Sequence, residues 1–125
     1  MGYTRYWNRT DKPLDEDFVE FCKGVVEDCK RRGIRIRDGF GENEPVITTE
    51  KIWINGDADI NSDHETFYIG SETGFEFCKT ARKPYDYAVR KILSEAKKRG
   101  FVTKVSSDGA ERRIISDERF VKGEY

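Results

Sequence analysis

Three cations crowd into residues 79–83, where Lys79, Arg82 and Lys83 lie within the stretch FCKTARKPYD. Thr80 is a helix-capping residue type, and Pro84 suits a first helical turn. A helix beginning near Pro84 would aim its free N–H groups at the cluster, and a helix N-terminus with added cations is a ready anion site. Arg grips phosphate in a bidentate way, while Lys acts as a point charge. First turns usually attract Asp and Glu, so these cations run against helix convention. Asp86 answers them in part and is placed to pair with Arg82. The plainer alternative is a solvated basic loop.

The N-terminal stretch GYTRYW adds Arg5, Tyr6 and Trp7. Aromatic faces beside an Arg can stack on bases, although small cores also consume Trp and Tyr. His64 is the single histidine and stands between Asp63 and Glu65. Histidine is the side-chain type suited to proton transfer near neutrality. Asp57, Asp59 and Asp63 precede it, but a calcium loop counted from Asp57 puts Ser62 and Tyr68 where Gly and Glu are required, so no metal is expected. Cys78 has Lys79 beside it and only His64 as a base, with no orienting group or oxyanion motif. It reads as a buried, inert thiol. No phosphate-cradling glycine loop or zinc spacing occurs, and no cofactor is expected.

These residues must be positioned by a small fold. GYTRYWN alternates, with Tyr3, Arg5 and Trp7 on one side and Thr4 and Tyr6 on the other, as a strand does. In LDEDFVEFCKGVVEDCKRRG, Leu14, Phe18, Phe21, Cys22, Val25, Val26 and Cys29 share one helix face. Asp15, Glu16 and Asp17 start it, and Lys30, Arg31, Arg32 and Gly33 end it, the order that the helix dipole favours. Gly24 weakens its interior and is expected to permit close packing on a sheet. Short strand-like runs follow at 34–37, 46–49, 51–55, 65–70 and 74–78. A second helix carries Tyr85, Ala88, Val89, Ile92, Leu93 and Ala96, and FVTKVS at 101–106 is a last clear strand. Residues 111–120 fit a strand or a short helix, and Arg112, Arg113 and Arg119 would extend a basic rim. The expectation is one α+β domain over 1–125, two helices on a mainly antiparallel sheet, in a ferredoxin-like βαββαβ order.

The chain has 125 residues, 38% charged and 13% aromatic, which suits one folded, densely charged domain. With 23 basic and 24 acidic residues the net charge is −1, so no global field attracts long nucleic acid or an acidic membrane. No apolar run is long enough to span a bilayer, and no secretory leader is evident. Three cysteines at 22, 29 and 78, with no CxxC pair, fit a reducing compartment, so the expected location is the cytoplasm.

GYTRYW, NGDAD at 55–59, HETF at 64–67, FCKTARKPYD at 77–86 and VSSDG at 105–109 together resemble a family of small phage and mobile-element proteins. The resemblance covers most of the chain and implies a phage-type accessory protein. Many members carry His where Arg5 stands here, which argues against histidine-dependent chemistry at that motif, and no catalytic residues carry over. Three functions are expected from the residues and the resemblance taken together. The first is binding and sequestering a small anionic, nucleotide-derived immune signal, such as a cyclic oligonucleotide or a cyclic ADP-ribose. Its ligand residues would be Arg5, Tyr6, Trp7, His64, Lys79, Thr80, Arg82 and Lys83, in a site shared by a homo-oligomer. The second is a phosphodiesterase using His64, Asp57 or Asp86 for proton transfer. The third is a protein–protein interaction module that inhibits a host factor.

Overall fold

The computed structural model describes residues 3–108. The expected strand or helix at 111–120 and its arginines lie outside them.

Strand β1 (Thr4–Arg9) leads through the break at 10–13 to helix α1 (Glu16–Arg31). Asp15 caps that helix, its side chain accepting from the Phe18 N–H at 2.9 Å. Strands β2 (Ile36–Arg37), β3 (Val46–Ile47), β4 (Ile52–Gly56), β5 (Phe67–Ile69) and β6 (Gly74–Lys79) follow. Helix α2 (Asp86–Lys98) and strand β7 (Val102–Ser107) complete the order.

The class is α+β, with two α-helices and antiparallel strand pairing among the described residues. The strands of the described residues form two sheets rather than the single one of a βαββαβ order. One runs β6-β1-β7, with β1 in the middle. The other is built on β4, which pairs with β2, β3 and β5. The physical reason is the length of the middle segment. Residues 34–70 hold enough short apolar strands to build a sheet of their own, so none of them adds a fourth strand to the first.

The core lies between the sheets and the helices. Phe18 of α1 meets Phe101 at 4.8 Å between ring centroids, and Trp7 of β1 meets Phe67 of β5 edge-on at 5.3 Å, joining the two sheets. The α2 stripe Ala88, Val89, Ile92, Leu93 and Ala96 is buried as its spacing predicts. Buried Arg9 clamps the chain by donating to the carbonyls of Gly70, Thr10, Lys12 and Phe101. Gly24 does not serve sheet packing, because a Cβ there would meet nothing within 4 Å. The three cysteines are free and buried.

Candidate anion-binding site

The period-2 alternation of β1 turns Arg5 inward with Trp7. Arg5 is 2% exposed, and its Nε and Nη2 donate to the two carboxylate oxygens of Asp86 at 3.0 and 2.9 Å. Thr80 donates its hydroxyl to the same Asp86 at 2.7 Å. This fork-to-fork pair ties the first strand to the first turn of α2. The geometry here corrects five expectations. Arg5 and Thr80 hold a carboxylate of the protein rather than a ligand. Thr80 is not the helix cap, since Tyr85 occupies that position without a side-chain bond. Asp86 pairs with Arg5 and not with Arg82. Trp7, at 1% exposure, is core and presents no face for a base.

The other motifs interlock behind the same corner. Glu65 accepts the Lys79 N–H on its carboxylate, and its carbonyl accepts from Tyr85 Oη and Cys78 Sγ. Tyr3 Oη donates to Ser107 Oγ at 2.7 Å, and Asp108 accepts from the Thr4 N–H and Tyr6 Oη. Burial pushes the Cys78 thiol up to about 12, so it stays protonated and unreactive near neutrality.

In front of this corner lies an open groove of about 430 Å³, within the ~300–1,000 Å³ usual for small-molecule sites. Four cations line it: Arg32 from the end of α1, Arg82 and Lys83 from the basic loop, and Arg90 from α2. Tyr87 lines it too, with the guanidinium carbons of Arg32 and Arg90 at 4.8 and 5.2 Å from its ring centroid. These cation–π contacts help to hold both guanidinium groups beside the ring. Arg82 sits 4.0 Å over the Tyr3 ring, and Lys83 reaches the Asn61 carbonyl at 2.9 Å. Asp28, outside the groove's lining, accepts a hydrogen bond from Tyr87 and a second from Arg32, which draw its pKa below the ordinary range. The loop reaches its shape through two successive left-handed residues, Ala81 (φ 54°) and Arg82 (φ 57°).

Arg82 and Lys83 are thus the expected residues that the fold gathers at one site. Arg32, Arg90 and Tyr87 were not foreseen. The signal was present for Arg90, which lies one helical turn beyond Asp86 and so beside the basic loop. Arg32 read only as a dipole-favouring last-turn cation. Tyr6 and Lys79 lie on the other side of β1 and β6, away from the groove. His64 does not line it either: its backbone N–H and carbonyl are held by the Asn55 amide, and its residue is exposed. Asp57 is buried and bound to Arg35 and Arg37. Burial alone would raise its pKa, but the Asp59 N–H and the two arginines outweigh that and hold it low. The three proton-transfer candidates are therefore not brought together. Among the described residues, no three His, Cys, Asp or Glu side chains gather as a metal site, and no helix is long and apolar enough to cross a membrane.

No family model matches the chain, and neither a curated protein nor a solved structure matches it.

Proposed function

We propose that this protein binds a small nucleotide-derived anion in the groove at the head of α2 and holds it uncleaved. The observation that carries this reading is the convergence of Arg32, Arg82, Lys83 and Arg90 from three separate segments on one groove. Cations fixed over aromatic rings are pre-organised for phosphate, which lowers the ordering cost of binding. The dispersal of His64, Asp57 and Asp86 favours holding over phosphodiester cleavage. Sequestering an immune signal in the host cytoplasm is the role that the phage resemblance suggests for such binding, with a homo-oligomer as its working form.

The test is to incubate the protein with cyclic dinucleotides, cyclic ADP-ribose isomers and linear nucleotides, remove free ligand, heat the protein and identify what it releases. Intact ligand is the expected result. A converted product would overturn the binding-only reading and make His64 the next residue to replace. No depletion of any ligand would overturn nucleotide binding itself. Arg82→Ala should weaken the interaction by roughly tenfold or more, the value of a charge-assisted contact, and unchanged affinity would remove the groove from the account.

A further inference from the structure

The face of the β6-β1-β7 sheet that turns away from the helices carries exposed aromatics. Phe75 is 62% exposed and Phe77 49%. Cross-strand register sets Tyr6 opposite Phe77 and Asn8 opposite Phe75. The Tyr6 and Phe75 rings are 6.1 Å apart at 24°, and Phe75 and Phe77 are 6.1 Å apart at 32°. Soluble domains rarely leave two large rings side by side on a sheet without a use for them.

We infer that this face holds two unpaired bases of a single nucleic acid strand, one on Phe75 and one on Phe77, with Tyr6 at their flank. The geometry favours that occupant over others. Phe75 and Phe77 lie on the edge strand β6 with Tyr6 beside them on the middle strand β1, and aromatic rings on an open sheet are what unpaired bases stack on. Gly74, Phe75 and Phe77 fall on the Gly-aromatic-x-aromatic core of the strand pattern used there, although Thr73, Glu76, Cys78 and Thr80 depart from it. The ring spacing is roughly twice the ~3.4 Å rise of stacked bases, which suits splayed nucleotides and not a duplex. Charge complementarity supports phosphate beside the rings. Lys79 follows Phe77 by two residues on the same face and is exposed. Lys104, also exposed, sits in the bulge of β7 between the partners of Tyr6 and Asn8. The acids at the rim are Asp108, held by Tyr6 and Thr4, and Glu65, held by the Lys79 N–H. With a net charge of −1, stacking rather than a long-range field must supply most of the affinity.

The test uses the full chain and a fluorescein-labelled ten-nucleotide oligouridine, read by anisotropy at low salt. Saturable binding is expected at protein concentrations up to roughly 0.1 mM. Phe75→Ala and Phe77→Ala should each weaken it about tenfold, the worth of one base–aromatic stack, and Phe77→Tyr should retain it. Both rings are exposed, so these variants keep the fold. Arg82→Ala in the groove should leave oligouridine binding unchanged, which separates this surface from the nucleotide site. Equal binding of a duplex of the same length would overturn the inference, as would binding indifferent to Phe75→Ala and Phe77→Ala. No binding of any single strand, together with a concentration-dependent dimer dissolved by Phe77→Asp, would overturn it in favour of a second copy of this chain.

Discussion

Arg5 and Asp86, 81 residues apart, meet in two parallel contacts of 3.0 and 2.9 Å. The guanidinium is 2% exposed and the carboxylate 16%. Removing either partner takes both of these contacts from a charge held largely out of water. Arg5→Ala or Asp86→Ala should therefore cost about 3–5 kcal/mol, read as a lower urea midpoint with an unchanged slope. The double variant Arg5→Met with Asp86→Leu should recover much of that loss. A single variant as stable as the parent would show that the pair carries no stability.

Two backbone positions carry opposite mismatches between residue and conformation. Ala81 holds a left-handed φ that favours glycine, and Gly24 sits in a helix with open space where a Cβ would go. Ala81→Gly should stabilise by about 1 kcal/mol, and Gly24→Ala by about 1 kcal/mol. The two sites share no partner, so the gains should add within about 0.5 kcal/mol. Thermal melts of the two single variants and the combined one check this.

Asp57 and Asp38 set an acid limit. For both, burial works to raise the pKa. It is outweighed at Asp57 by the Asp59 N–H, Arg35 and Arg37, and at Asp38 by backbone donors from Glu42, Asn43 and Phe40. Folded pKa values below the unfolded value mean that their stabilisation is complete above about pH 4 and disappears as pH falls through the folded values. Chemical melts from neutral to strongly acidic pH should show this decline, and Asp57→Asn should flatten it. A variant with an equally steep acid limb would refute the role of Asp57.

Burial pushes the thiols of Cys22, Cys29 and Cys78 up to about 12. A disulfide reagent at neutral pH should label none of them in the folded chain within minutes and all of them in denaturant. Rapid labelling of Cys78 in the native state would contradict its burial and restore interest in it as a nucleophile.

Much of the architecture was legible. The two helix stripes carry apolar residues at turn spacing, and the alternation of GYTRYWN marks β1. The division into two sheets was not, because strands of two residues such as Ile36–Arg37 and Val46–Ile47 carry too few side chains to declare their neighbours. At the candidate site, the cation cluster was visible at Arg82 and Lys83 because both lie in one loop. Arg32 and Arg90 join it only through the packing of α1 on α2, which local spacing does not encode. The inward turn of Arg5 was implied by its own strand: a residue two places from a core Trp shares its face. The aromatic side of β6 followed from the same rule, since burying Cys78 sends Phe77 outward.

Strand β1 is paired on both edges by β6 and β7, and Tyr3 bonds to Ser107, 104 residues later. During synthesis the first strand leaves the ribosome long before either neighbour exists. Its two edges wait unpaired while α1 and the middle sheet are made, exposed to whatever else can add a strand. Such late closure of a central strand, through contacts far apart in sequence, slows folding.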